Sequence, residues 1–138
     1  MPSFVAGKKV AISASTKETA MSYVDGFVIA VPNANRKRFI THAETFDAMF
    51  LEFGAIRVVE CWGDDVPEGK LTDFRRAVQA EKDEAVVFSW VEWPDKATRD
   101  AGMEKFMKDP RMEAAGDCPF DGKRMIFGGF VPVVSLPA

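Results

Sequence analysis

The segment Ala85-Val-Val-Phe-Ser-Trp-Val-Glu-Trp93 constrains the fold more than any other. Its nine residues hold three valines, two tryptophans and one phenylalanine. Such density predicts a strand buried over much of both faces. Pro94 cannot donate to a sheet ladder and stops it. Asp95 can then accept from the free N–H groups of a following helix. The pattern is a central strand feeding a helix that folds back over a sheet.

The other elements fall into place around it. Tyr23–Val31 alternates, with Tyr23, Asp25, Phe27, Ile29 and Val31 on one face and Val24, Gly26, Val28 and Ala30 on the other. The second, smaller face is the one expected to lie under a helix. Pro32-Asn33 ends this strand, and Asn33 is the expected cap of a helix over 34–53. The spacing of Phe39, Ala43, Phe46, Phe50 and Phe53 is helical, and Gly54 suits the left-handed position after it. Ala55–Trp62 alternates again, with Ile56, Val58, Glu60 and Trp62 on one side. A charged loop over 63–70 and an excursion over 71–84 lead to the central strand. After it come a helix over 95–108, a break at Asp109-Pro110, a helical turn and loop over 111–118, and a last strand over 123–134. Gly128-Gly129 inside that strand permits a bulge or a close backbone approach.

The order β-α-β-β-α-β predicts an α+β fold of ferredoxin-like type, a four-stranded antiparallel sheet with two helices on one face. The other face is then uncovered. Tyr23, Phe27, Ile29, Trp62 and one of Trp90 or Trp93 are expected there, and an exposed apolar face implies a partner. A second copy packed sheet to sheet about a two-fold axis is the simplest one, giving a barrel-like homodimer.

Length and composition fit one domain, expected over 21–138. Residues 1–20 are rich in Ser, Thr, Ala and Lys, lack the apolar core of a signal peptide, and are expected to form a mobile N-terminal extension. No apolar run reaches the roughly 20 residues of a membrane span, and a cytoplasmic location is expected. The formal charge is −3, and without the first twenty residues 15 basic face 20 acidic side chains. That balance argues against nucleic acid as a partner. Cys61 and Cys118 fit no metal or redox spacing. They are expected to be free thiols, Cys61 buried by its strand pattern and Cys118 on a loop.

Several short motifs in order resemble one family: Val24-Asp-Gly-Phe27, Glu60-Cys-Trp-Gly-Asp-Asp-Val-Pro67, Gly69-Lys-Leu-Thr-Asp-Phe-Arg-Arg76, Val87-Phe-Ser-Trp90, Asp109-Pro-Arg-Met112, Pro119-Phe-Asp-Gly-Lys-Arg-Met125 and Gly128-Gly-Phe130. They are similar to the YbaA-like bacterial family, a domain of unknown function among the dimeric α+β-barrel proteins. The resemblance covers residues 21–134. It implies the ferredoxin-like protomer and the barrel-like dimer, and no established activity; the wider superfamily includes cofactor-free monooxygenases and isomerase-like proteins. Fold does not fix function.

Candidate chemistry therefore rests on individual residues. Asp25, a carboxylate at a strand centre, and His42, the single histidine, are the candidate acid–base residues; Arg57 or Arg124 is the expected structural partner of Asp25. Asp64 and Asp65 with Glu68 and Lys70 put acceptors and donors at a strand end, where a hard cation or a ligand mouth could lie, and Lys70, Arg75 and Arg76 could clamp a carboxylate or phosphate. Trp62, Trp90 and Arg124 complete the candidate ligand-binding set. For each, ordinary core packing or salt bridging is the plain alternative. No metal site and no cofactor are expected. The sequence supports a homodimer that binds a small aromatic or anionic molecule, with cofactor-independent oxygenation or isomerisation as the candidate chemistry; the alternative is a non-catalytic regulatory or scaffold module that binds a protein.

Overall fold

The computed structural model describes residues 22–138; the expected extension over 1–20 lies outside the described residues. Four strands form one antiparallel sheet: β1 (Tyr23–Pro32), β2 (Arg57–Trp62), β3 (Glu84–Trp93) and β4 (Ile126–Phe130), in the order β2-β3-β1-β4. Two long helices, α1 (Arg36–Glu52) and α3 (Lys96–Lys108), cross over between strands, and two single turns, α2 (Phe74–Ala77) and α4 (Arg111–Ala114), sit in the connections. This is the ferredoxin-like arrangement. Among the described residues no helix is long and apolar enough to cross a membrane.

The apolar centre of β3 makes it the inner strand between β1 and β2. Its register sets Trp93 opposite Tyr23, Val91 opposite Asp25 and Val87 opposite Ile29. These pairs share one face, and that face is the one under the helices: Tyr23, Val91 and Trp93 pack with Met49, Phe50 and Phe106. The small face of β1 is thus the open one, the reverse of the expectation from sequence. Alternation fixes which residues share a face, not which face is covered. The helices bring Phe39, Phe46 and Phe50, and the large side chains of β1 and β3 supply the matching volume. Tyr23, Phe27, Ile29, Trp62 and Trp93 therefore belong to the helix side, and of the tryptophans only Trp90 is on the open face.

The open face is nonetheless apolar. Phe88, Ile126 and Phe130 are 46%, 45% and 61% exposed there. Cys61 stands opposite Phe88 and is exposed, so its strand pattern placed it on the uncovered side and it is not buried. The excursion before β3 covers one end of this face, where Val78 packs with Ala30 and Val86, and sets the Phe74 ring edge-on to Phe88 at 5.9 Å.

Local chemistry explains the helix ends. Asp95 caps α3 by accepting from the Thr98 N–H at 2.7 Å. Gly54, with φ +114°, takes the chain out of α1. Asn33 does not cap α1; Asn33–Asn35 form a 3-10 turn, and the Asn35 side chain instead donates to the Pro119 carbonyl at 2.9 Å. The last strand is shorter than expected, because a 3-10 turn occupies Gly122–Arg124 and regular pairing ends at Phe130. The paired glycines permit a close approach, not a bulge: β4 keeps its register against β1, and a Cβ on Gly129 would strike the Tyr23 and Arg99 side chains. Gly102 acts alike on α3, where a Cβ would lie 2.6 Å from the Trp93 ring.

Candidate functional site

Between the sheet, α1 and the segment over 111–125 lies a cavity of about 290 Å3. One helical stripe of α1 supplies Phe39, His42, Ala43, Phe46, Asp47 and Phe50; β1 supplies Phe27 and Ile29; β2 supplies Val58 and Glu60. Ser89 and Val91 come from β3, and Met112, Cys118 and Phe120 from the segment that covers the cavity. Most of the wall is apolar. Such a cavity, with a few polar groups, is what a small-molecule site requires.

The polar groups are Asp47, Glu60, His42 and Ser89. Glu60 faces inward because it alternates with Val58 and Trp62 on β2, directly opposite Ser89. Asp47 comes from α1 to meet it. Glu60 Oε1 is buried and has no hydrogen-bond donor among the described residues when both groups are carboxylates. A proton on Asp47 supplies that donor. Burial first, then the hydrogen bond to Glu60 and its negative charge, push the Asp47 pKa up to about 9. Asp47 thus favours its protonated form beside the Glu60 carboxylate, as one of two like charges in a half-buried site. Both also line a groove of about 490 Å3 along the outer edge of β2, beside Trp62 and Arg36. The pair therefore stands between the interior cavity and the surface.

His42 lines the cavity with its ring against Phe46, centroids 4.6 Å apart, and edge-on to Phe120 at 5.9 Å. Burial and the nearby Arg38 charge lower its pKa from the ordinary histidine value, which favours the neutral ring. Among the described residues no three His, Cys, Asp or Glu side chains come together as a metal site would require.

The other candidates lie elsewhere. Asp25 is not at the cavity. It is 3% exposed and accepts from Trp93 Nε1 at 2.9 Å and from Arg99 Nη2 and Nε at 2.8 and 3.0 Å. Its partner is Arg99, not Arg57 or Arg124, and its lone pairs are taken up by the fold. Arg124 forms a bidentate pair with Glu84, both bonds 2.7 Å, which holds the Glu84 pKa down to about 2. Arg75 donates to the Glu81 and Glu84 carbonyls, and Arg76 to the Gly69 and Lys70 carbonyls and to Glu68. These arginines tie the excursion before β3 into shape. Asp64, Asp65 and Lys70 are exposed on that loop and line none of these cavities. Trp62 packs at a tilt against Phe39 under the Arg36 guanidinium, 5.3 Å from its centroid, and of these spaces lines only the outer groove. Trp90 borders the cavity through its strand, while its indole on the open face donates to Glu92 at 2.9 Å.

Of the candidate set, then, the structure brings only His42 and the β3 strand at Trp90 to the cavity. Asp47 and Glu60 were missed, although both left a trace: Glu60 is the one carboxylate on the apolar side of β2, and Asp47 interrupts the aromatic stripe of α1.

A family model described as "Protein of unknown function (DUF1428)" matches residues 22–122. The chain belongs to this family. The cavity residues up to Phe120, with Asp47 and Glu60 among them, fall inside the matched region. The uncharacterized protein YbaA of Escherichia coli K12 is 56% identical over 115 residues, 83% of this chain and 98% of that protein. The YbaA of Shigella flexneri matches to the same extent. Among solved structures, a point mutant of SnoaB, a cofactor-independent oxygenase from Streptomyces nogalater, aligns with TM-score 0.55 at 15% identity, covering 86% of this chain and all of that one. A dimeric ferredoxin-like protein from an uncultured marine organism aligns with TM-score 0.52 at 11% identity over 83% of this chain and 98% of that one. At those identities the DUF1428 chain shares their fold, and the likeness says no more than that.

Proposed function

We propose that this protein binds a small, flat aromatic molecule in the cavity and moves a proton on it with the Asp47–Glu60 pair, without a cofactor. The observation that carries this reading is the pair itself: Asp47 and Glu60 side by side on the wall of a mostly apolar cavity, with Glu60 Oε1 buried and lacking a donor among the described residues. A carboxyl with a pKa near or above neutrality can give up or take back a proton at working pH. A cavity of about 150 Å3 holds one benzene, so about 290 Å3 suits two fused rings. A neutral ring system fits this wall better than a charged one. Enolisation or isomerisation of an aromatic ketone is the simplest chemistry that such a pair performs.

The probe is 2-tetralone, a neutral bicyclic ketone with acidic hydrogens. In D2O the protein is expected to speed exchange at its C1, followed by proton NMR. Asp47→Asn is expected to lower that rate by at least about 100-fold, the usual share of a positioned acid–base group, with binding retained. A rate equal to buffer, or one indifferent to Asp47→Asn, defeats the reading.

The dimer has its own support. The open sheet face carries Phe88, Ile126 and Phe130 in contact with solvent, and exposed apolar side chains grouped on one face mark an interaction surface. A structural neighbour with this topology is described as dimeric. A second copy laid sheet to sheet covers the face and buries Cys61. Phe88 stands mid-face between Val28 and Cys61, so Phe88→Asp is expected to raise the dimer dissociation constant by at least about 100-fold, the effect of a central interface anchor. Sedimentation velocity reads it directly, and a wild-type monomer at micromolar concentration would refute the second copy.

A further inference from the structure

The surface beside the cavity differs from its interior. There, between α1 and the segment over 111–119, runs a groove of about 740 Å3. His42, Phe46 and Ala115 line both spaces, so the groove adjoins the cavity across these three side chains. Lys37, Arg38, Thr41 and Thr45 form one wall of the groove, one turn after another along α1; Arg111 and Asp117 stand on the other.

The charges there are not balanced within the fold. Arg111 is committed, to Asp109 and to Glu52. Among the described residues Arg38 has one hydrogen-bond partner, Asn35 Oδ1 at 3.4 Å, and no ion pair is found for Lys37. Asp117 is the only carboxylate that lines the groove among those residues. The placement also runs against helix electrostatics. The sequence Arg36-Lys37-Arg38 opens α1, and its first turn has no acidic residue and no side-chain cap, although the positive end of a helix favours anions and disfavours cations. Arg36 is drawn off over Trp62. Lys37 and Arg38 remain, on an acidic protein, in a groove beside an apolar cavity. Departures from a local rule of this sort gather at functional sites.

We propose, building on the reading of the cavity as an aromatic site, that its ligands are aromatic monocarboxylates: the rings enter the cavity and the carboxylate stays in the groove on Lys37 and Arg38. The orientation follows from the same charges. A carboxylate inside would face the Asp47–Glu60 pair and lose its water; outside it meets two cations and keeps part of its hydration. A monoanion matches two cations with Asp117 opposite, whereas a phosphate dianion would need more positive charge. The inference refines the substrate class: aromatic body and anionic head are recognised by two adjoining surfaces.

The test compares 2-naphthoate with 2-naphthamide, equal in shape and differing in charge, by isothermal titration into the full chain near neutral pH. The acid is expected to bind at least about tenfold more tightly, close to 1.4 kcal/mol, and its advantage to shrink as salt is raised. In the double variant Lys37→Ala/Arg38→Ala, whose side chains are exposed, the advantage is expected to fall to about twofold or less, the amide binding unchanged. Equal binding of acid and amide, or a preference that survives in the double variant, overturns the carboxylate proposal and leaves the aromatic cavity standing. Binding of neither probe overturns both.

Discussion

Asp25→Ala is expected to lower the folding stability by about 3–5 kcal/mol, the cost of removing one partner from a buried ion pair. Asp25 has a 4% exposed side chain and Arg99 a 23% exposed one. Removing the carboxylate strands two groups at once. Trp93 Nε1, on a residue with no exposed surface, loses its acceptor, and among the described residues the Arg99 guanidinium keeps only Asp100 as an ion partner. The Arg99 pKa is raised mainly by the hydrogen bond it donates to Asp25, the mark of a cation held by that carboxylate. Arg99 also lies over the Tyr23 ring at 5.0 Å, so the pair fastens α3 to β1 and β3 at the centre of the aromatic core. Asp25→Asn keeps an acceptor for Trp93 and is expected to cost less. Urea unfolding followed by tryptophan fluorescence gives both values. An alanine variant within 1 kcal/mol of wild type, about what an exposed pair contributes, would show that the pair is not a structural keystone and would return Asp25 to the list of functional candidates.

That keystone was half legible in the sequence. A carboxylate at the centre of an apolar strand needs a partner, and Asp25 announces the need without naming the answer. Arg57 and Arg124 looked available because both lie near strands. Arg57, however, sits on the open face opposite Glu92, and Arg124 is spent on Glu84. Arg99 comes from a helix 74 positions away, a distance that no periodicity can bridge. The element order, the β3 core and the caps at Asp95 and Gly54 could be read because they are local effects of proline, glycine and alternation. The covered face could not, because alternation is symmetric between faces until helix side chains are packed against one of them. The cavity pair hid for the same reason. Glu60 and Asp47 each look like a stray charge on an apolar stripe, and only the packing of α1 over β2 turns two strays into neighbours.

The proton on Asp47 should be visible in the stability itself. Asp47→Asn is expected to stabilise the protein by about 2 kcal/mol at about pH 8, after a discount for solvent reaching the pair, and to change little at about pH 4. The sign follows from the direction of the shift. Asp47 is raised from 3.8 to about 9 by folding, so between those values the folded chain holds a proton that the unfolded chain releases. The native state then binds more protons than the unfolded one, and stability falls as pH rises through that window. Below it both states are protonated and nothing is lost. Asparagine stays neutral, keeps the shape and offers an amide N–H to Glu60, so its stability should be flat where the wild type declines. Glu84 contributes the opposite slope at a different place: its pKa, lowered from 4.5 to about 2 by Arg124, stabilises the fold above about pH 4.5 and weakens as pH falls toward 2 in both proteins. It therefore cancels in the comparison. Melting temperatures of the two proteins across that range are expected to converge in acid and separate in mild base, with the variant higher. If the curves stay parallel, Asp47 titrates as an ordinary surface carboxylate, and the acid–base role given to it falls with the shift. If they separate as expected, the wild type gives up stability to keep a proton on the cavity wall. Folding alone gains nothing from that proton; proton transfer to a bound ligand does.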